Sequence, residues 1–398
     1  MLLVHLSDLH LGFRQYQRLT PSGINQREAD VAGTMQRAVA QIIALAPDAI
    51  VVGGDVFHSV RPSNPAILHA YRAFSQLVSA LPDTPIVMVA GNHDAPRTTE
   101  TGCILRLFRE IGVHVADAKA ELFTFPSRSL AVLAVPDVPG IDRPPLTPPD
   151  GFQHRVLLMH GEVQGILPAH AAPADRAAIE IPVSELNADS WSYIALGHYH
   201  VYREVAPRAY YSGSLDYTSS NPWGELREER DNGVPGKGFI AHDLARGTHR
   251  FHPVAPARPL LDLEPIDASG MGAVELDAAL KARVDTAPGG IDDRVVRATV
   301  RNVPRHIVRE LDHAALRDYR RRAMHFHLDT RRPDPITRRR TGEGAPGRRA
   351  TLPDILAERL QERVLPPGID RDVLVTTGLR YLQQAEDAAT NALPVADG

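Results

Sequence analysis

Asp8 and His10 stand one residue apart at the end of an apolar run, Leu2 to Leu6. In an extended backbone alternate side chains share a face, so the two form a chelating pair. Four later segments repeat the arrangement, each an apolar run that stops at a residue able to hold a metal. Ile50 to Val52 leads into Gly53-Gly54-Asp55, and Ile86 to Ala90 into Gly91-Asn92-His93-Asp94. Val156 to Met159 ends at His160, and Ile194 to Leu196 at Gly197-His198-Tyr199-His200. Asp8, His10, Asp55, Asn92, His160, His198 and His200 offer oxygen and nitrogen but no thiolate, which suits Mn2+, Fe2+ or Zn2+. Seven donors are too many for one ion. Two ions sharing a carboxylate account for the number: Asp8, His10, Asp55 and His200 around one, Asp55, Asn92, His160 and His198 around the other. Ions about 3.5 to 4 Å apart can hold a bridging hydroxide and clamp a phosphoryl group for in-line attack. His93 is then free to protonate the leaving oxygen or to stabilise phosphoryl charge.

A single histidine after a strand is more often a satisfied core or surface residue than a ligand. Five such strand ends in one chain argue against coincidence. Elsewhere the balance reverses. His325-x-His327 has metal spacing but no acidic or cysteine companion, and reads as structural. Tyr199, Tyr202, Tyr210, Tyr211 and Tyr217 could stack on bases, but sheet packing explains them better.

The elements that position these residues follow from periodicity. Val31, Met35, Ala38, Ile42 and Leu45 keep helical spacing up to Ala46, and Pro47 stops it. After a buried strand at Ala49 to Val52, Ser63-Asn64-Pro65 caps a second helix with its apolar stripe on Ile67, Leu68, Tyr71, Phe74, Leu77, Val78 and Leu81. Strand Ile86 to Ala90 and a third helix near Gly102 to Ile111 continue the alternation. Strands apolar throughout imply a sheet covered on both faces, with ligands beyond the strand carboxyl ends. The middle of the chain is richer in strands, at Ser129 to Val135, Arg155 to Met159, Tyr193 to Leu196, Val201 to Val205, Ala209 to Ser212 and Gly238 to His242. These predict a second sheet facing the first, an α/β/β/α sandwich over residues 1–265. The polar stretch from Phe13 to Arg27 is the expected substrate lip.

At 398 residues the length favours two or three domains. Past the prolines of 253–265, a small α+β cap is expected over 266–330, with helices near 274–284 and 312–322 and strands near 294–300 and 324–328. Residues 331–350 read as an arginine-rich flexible linker, and 351–398 as short amphipathic helices too small for a core of their own, which should dock on a partner. The chain carries a net charge of −4, yet residues 301–350 hold fourteen arginines against six acids, a local excess of eight that points to a polyanionic partner. The lone cysteine, Cys103, excludes an internal disulfide and fits a reducing cytoplasm. Neither a signal peptide nor a membrane span is expected, since no apolar run reaches about 18 residues.

Asp8-Leu9-His10, Gly54-Asp55, Gly91-Asn92-His93-Asp94, His160 and Gly197-His198-Tyr199-His200 together resemble the five motifs of calcineurin-like metallophosphoesterases. Asp55 to Ser63, Tyr211-Ser212-Gly213-Ser214 and the order of nuclease domain, cap, linker and terminal helices further resemble the SbcD-type DNA repair nuclease subunit. That resemblance implies catalysis by His93 with His58 beside the metals, and substrate contacts from Arg61 and Tyr199. It implies two divalent ions, Mn2+ first, with Fe2+, Zn2+ or Mg2+ as other candidates. It further implies 3′ to 5′ exonuclease action on double-stranded ends, single-strand endonuclease action and a nucleoid-associated cytoplasmic protein. DNA, an SMC-like ATPase of the SbcC type and a second copy of the chain are the implied partners. Two other readings keep part of this: a phosphatase or cyclic-nucleotide phosphodiesterase with the same metals, or a non-catalytic scaffold holding an ATPase on DNA.

Overall fold

The computed structural model describes residues 1–96, 102–140, 143–166, 176–333, 352–362, 365 and 370–391. A first sheet is built from β1 (Leu2–Leu6), β2 (Ala49–Val52), β3 (Ile86–Val89) and β4 (His114–Ala116), extended by β13 (Gly238–Asp243) and β14 (Thr248–Pro253). Its strand order is β14-β13-β1-β2-β3-β4, parallel from β1 to β4 and antiparallel at β13 and β14. The second sheet joins β5 (Glu121–Phe125), β6 (Leu130–Val135), β7 (His154–His160), β10 (Tyr193–Gly197), β11 (Arg203–Ala206) and β12 (Ala209–Tyr211) in the order β11-β12-β10-β7-β6-β5. Its centre, β6-β7-β10-β12, is parallel.

The period of two sorts each strand's side chains between layers. Val4, Leu6, Ile50, Val52, Ile86 and Met88 pack with Val31, Met35, Phe74 and Leu77 of helices α1 (Gln26–Leu45) and α2 (Asn64–Ala80). Leu3, Val51, Val87 and Val89 turn the other way, onto Leu130, Val132, Val156, Leu158 and Tyr193 of the second sheet. Leu133, Leu157, Met159, Ile194 and Leu196 face outward beneath Trp191, Leu186 and Ile181. The cover there consists of 3₁₀ turns at Val183–Leu186 and Ala188–Ser190 and a two-stranded pair, β8 (Glu162–Val163) with β9 (Glu180–Ile181). The fold is an α/β sandwich of two packed sheets.

Helix ends obey local chemistry. Asn25 accepts from the Arg27 amide and Ser63 from that of Ala66, with Pro65 in the first turn of α2. The third helix expected near 102–111 is a 3₁₀ helix over Ile104–Ile111, closed by Gly112 at φ 90°.

Three parallel strands, β15 (Leu260–Asp267), β16 (Val295–Arg301) and β17 (His325–Thr330), form a separate small sheet. Helix α4 (Ala273–Asp285) crosses over from β15 to β16, and α5 (Arg305–Glu310) and α6 (His313–Arg322) from β16 to β17. Leu276, Leu280, Val296, Ala298, Leu316 and Phe326 are among its own core residues. This sheet and the sandwich lie within one compact unit, Met1–Asp334. In the second unit α7 (Leu352–Glu362) packs on α8 (Arg371–Asn391), Leu360 lying beside Gly378. The linker expected at 331–350 lies, from residue 334 on, outside the described residues. Among the described residues no helix is long and apolar enough to cross a membrane.

Candidate metal centre

Each expected ligand follows the carboxyl end of a parallel strand: Asp8 and His10 after β1, Asp55 after β2, Asn92 after β3, His160 closing β7, and His198 and His200 after β10. The two sheets bring these ends together because glycines allow it. A Cβ on Gly197 would lie 1.8 Å from the Gly53 carbonyl oxygen, and one on Gly91 would lie 2.1 Å from Asp55 Oδ1. The loops beyond the strands are held in an uncommon conformation. Asp8, His10, Asp55 and His198 have φ of 53°, 44°, 48° and 110°. Such left-handed geometry outside glycine costs about 1–3 kcal/mol per residue and persists only where the surroundings enforce it. Here the enforcing contacts are amides of one loop bonded to the other, Asp8 to the Gly54 carbonyl at 3.0 Å and His10 to the Asp55 carbonyl at 2.9 Å.

Asp55 occupies the middle. Its Oδ2 lies 3.7 Å from His10 Nε2 and 3.7 Å from His160 Nε2, while its Oδ1 accepts from the His93 amide at 2.9 Å. On one side His10 Nε2 and His200 Nε2 stand 3.0 Å apart with Asp8 Oδ1 4.0 Å from His200. On the other, Asn92 Oδ1 is 3.0 Å from His160 Nε2. The His198 amide donates to both oxygens of Asp8 at 3.1 Å, and its ring meets that of His160 edge-on at 5.4 Å. Donor atoms of Asp8, His10 and His200, and of Asp8, Asp55 and His160, lie within 4.8 Å of one another.

These residues fit divalent ions. His160 Nδ1 donates to the Gly53 carbonyl at 2.7 Å, which leaves Nε2 as the inward lone pair. Two ligands each about 2.1 Å from one ion at a right angle stand about 3 Å apart, the observed spacing of His10 and His200 nitrogens. Electrostatics agree. Burial, then His200, His93, His58 and His160, hold His10 well below the usual imidazole range. Burial raises Asp55, whose neighbours include Asp8. Burial would lower His160, but Asp55 and Asp8 overcome it and lift the ring to about 9. Asp55 and Asp8 thus favour positive charge at His160, a role that a divalent cation would fill, while the crowded rings keep His10 an unprotonated nitrogen donor. Asp94, raised to about 7 by burial and by Asp55, takes the amides of Val56, Phe57 and Gly91 and so ties the β2 and β3 loops together.

Above these donors opens a cavity of about 690 Å³ lined by His58, His93, Tyr199, Arg14 and Arg203 among others. His93 Nδ1 donates to the His58 carbonyl at 2.8 Å, so its Nε2 is the free nitrogen. Its ring stacks on that of His58 at 5.3 Å and meets His10 at 4.9 Å. Burial, then His93 and His200, bring His58 down to about 4, which keeps it neutral. Tyr199 lines the cavity, and its hydroxyl donates to Glu228 at 2.6 Å. Arg61 is exposed and outside the cavity lining; Arg14 and Arg203 are the arginines on its wall. Phe13, Arg14 and Gln15 bring the lip expected at 13–27 into the lining. Tyr210 packs at the sheets against Tyr193 and Tyr202, whereas Tyr217 lies outside the strands and packs against Lys237, its hydroxyl donating to Glu229. His325 stacks on Tyr16 at 3.9 Å.

Sequence periodicity missed α3 (Pro222–Asp231), which forms a wall of the cavity with Gly224, Glu225 and Glu228. Its signal was the Asn221-Pro222 start, where Asn221 caps the Gly224 amide. Lys237, one of only three lysines in the chain, was the other, for it is buried against Glu225 and Glu229 of that helix.

A family model described as calcineurin-like phosphoesterase matches residues 1–231. The protein named DNA double-strand break repair protein Mre11 from Methanocaldococcus jannaschii is 25% identical over 256 residues, 62% of this chain and 63% of that protein. Its namesake from Methanococcus maripaludis is 27% identical over 258 residues, with the same coverage. One from Haloferax volcanii reaches 32% over 111 residues, 28% of this chain and 23% of that protein. The chain thus spans about 63% of the length of the first two relatives.

Proposed function

The chain belongs to the calcineurin-like phosphoesterase family, and from that premise we propose that it is a Mn2+-dependent DNA nuclease, the cleaving subunit of an SbcCD-like repair complex. The observation that carries the chemistry is the convergence of Asp8, His10, Asp55, Asn92, His160, His198 and His200 beneath a cavity with His93 at its edge. DNA as substrate is supported by relatives named for double-strand break repair and by the basic stretch from 301 onward. Fe2+, Zn2+ and Mg2+ suit the same donors. When bound, a pair of such ions supplies Lewis acidity at the phosphoryl oxygens and a water nucleophile active near neutral pH.

The chain's own groups do the rest. Asp55 is shared between the two ligand sets, Asp8, His10 and His200 on one side and Asn92, His160 and His198 on the other. As a bond forms from water oxygen to phosphorus and the P–O bond opposite breaks, His93 in its imidazolium form would be the group that gives its Nε2 proton to the leaving oxygen and so returns to the neutral ring. The His58 carbonyl holds the His93 ring through Nδ1, while the neutral His58 ring flanks it. Arg14 and Arg203 on the cavity wall suit the flanking phosphates of a strand. Cleavage of double-stranded ends in the 3′ to 5′ direction and of single strands internally belongs to the same reading.

In this reading the nuclease domain ends before β15 (Leu260–Asp267), which pairs with β16 and so belongs to the small unit, rather than at the expected 265/266 boundary; that unit, to residue 330, is a cap that contacts DNA, 331–350 a basic linker and 351–398 helices that dock on an SMC-like ATPase in the nucleoid. Exposed Ile355, Val373 and Tyr381 on α7 and α8 support a docking role. A second copy of the chain completes the assembly. The test of substrate class is to offer a duplex oligonucleotide and a small aryl phosphate side by side, with Asp55→Asn as control. DNA cleavage lost in the variant supports the nuclease. Hydrolysis of the aryl ester alone means a phosphatase or cyclic-nucleotide phosphodiesterase, and DNA processing that survives Asp55→Asn means a non-catalytic scaffold.

A further inference from the structure

We propose that Glu225 on α3 is a positioning residue for the metal ligand His200, locked in place by the buried Lys237. The inference rests on the reading that His200 binds a metal through Nε2. A ring that coordinates through Nε2 keeps its proton on Nδ1, and a carboxylate accepting that proton fixes the ring plane and raises the basicity of the coordinating nitrogen. Glu225 Oε1 lies 3.4 Å from His200 Nδ1, and neither atom has a hydrogen-bond partner of its own. The gap exceeds a formed hydrogen bond.

Glu225 is not free to swing away. Its other oxygen contacts the Lys237 ammonium, which also donates to the carbonyl of His200 itself at 2.7 Å and stands 3.0 Å from Glu229 Oε1. The Lys237 ammonium lies 4.6 Å from the centre of the Tyr217 ring, whose hydroxyl donates to Glu229 at 2.6 Å. Carboxylate, lysine and the backbone of His200 form one closed loop at the edge of the cavity. Two nearby rings differ in kind, since the ligand His160 and the flanking His93 rest their Nδ1 atoms on neutral carbonyls, of Gly53 and His58. In the ligand set of Asp8, His10 and His200, the brace on His200 is thus a charged carboxylate. The same helix meets the small three-stranded unit, where the Arg297 guanidinium lies over the Trp223 ring at 4.8 Å.

The rival account is that Glu225 serves Lys237 alone, as one of two counter-ions. Glu229 separates the two accounts, because it faces Lys237 but not His200. The experiment is Mn2+ binding to the full chain by titration calorimetry, with metal-free melting of each variant as the fold control. The unaltered chain is expected to bind two Mn2+. Glu225→Gln is expected to weaken one of them by 10- to 100-fold and leave the other within twofold. Glu229→Gln is expected to leave both within twofold. Should Glu225→Gln lose its melting transition, Glu225→Asp is read instead; it keeps the charge beside Lys237, withdraws it by one methylene from His200, and is expected to weaken the same ion. Unchanged Mn2+ affinity in the Glu225 variants, or equal weakening in Glu225→Gln and Glu229→Gln, would overturn the assignment. An unaltered chain that binds no Mn2+ would instead overturn the metal reading on which the assignment stands.

Discussion

Gly197→Ala is a one-carbon change with a large expected effect. Gly197 ends β10, and its added Cβ would lie 1.8 Å from the Gly53 carbonyl oxygen and 3.0 Å from His160 Nδ1. No side chain is available to rotate away from the carbonyl, since the obstacle is backbone. Relief therefore requires the ends of β2 and β10 to part by about 1 Å or more, and overpacking of this kind costs about 1–3 kcal/mol. For a domain of this size that lowers the melting temperature by about 2–10 °C. The larger consequence is functional. Asp55 and His198 lie on the two segments being forced apart, and a misplacement of about 1 Å at a reacting centre costs about 100-fold in rate. Gly33→Ala is the control: Gly33 sits inside α1 with its nearest neighbour 3.8 Å from the added carbon, so alanine should be neutral or stabilise the helix by up to about 1 kcal/mol. Thermal melting and Mn2+ titration of both variants provide the assay. A Gly197→Ala protein that melts within about 1 °C of the unaltered chain and binds Mn2+ normally would refute the close apposition of the two sheets.

His242 is fully buried between the sheets, neither ring nitrogen has a hydrogen-bond partner, and burial lowers it to about 4. The unfolded ring takes a proton near pH 6.5 and the folded one does not, so this residue's stability contribution is complete above pH 6.5 and lost as pH falls toward 4; His242→Phe should flatten urea-measured stability between pH 7.5 and 5.5 by about 1.4 kcal/mol, and an unchanged pH slope would show that the ring is solvated. Arg27, paired at 2.8 Å with the fully buried Asp216, should cost about 3–5 kcal/mol when replaced by methionine, because Asp216 is left uncompensated; a loss below about 1 kcal/mol on denaturant unfolding would place water at that pair. Deleting residues 338–349 should reduce the steepness with which DNA affinity falls with salt, and an equal slope would remove that stretch from the binding surface.

The metal-type residues were legible because chemistry and periodicity coincide at them. An apolar run of four or five residues followed by Asp, Asn or His needs no tertiary information to read as a strand end, and those strand ends do converge in space. What brings them together was not legible. The contact of Gly53 with Gly197 spans two sheets and more than a hundred residues, and φ of 53° at Asp8 or 44° at His10 is imposed by bonds from a different loop. Short or polar elements escaped for a different reason. β14 carries Thr248, His249, Arg250 and His252, and β15 alternates Asp262 and Glu264 with leucine before Pro265, so both resemble connectors until a neighbouring strand pairs with them. Helix α3 has almost no apolar face, and its stability rests on Glu225 and Glu229 meeting a buried lysine that no local pattern predicts. Arg61 was singled out by its neighbours in sequence, whereas the cavity lining contains Arg14 and Arg203, which lie elsewhere in the chain.

The most direct test of the account is cleavage of an end-labelled DNA duplex by the purified chain in Mn2+ and in EDTA, with His93→Ala in parallel. The account predicts shortening of the label in Mn2+ alone, lost by about 100- to 10,000-fold in His93→Ala while Mn2+ binding stays intact. Cleavage that persists in EDTA, or that His93→Ala leaves untouched, would contradict it.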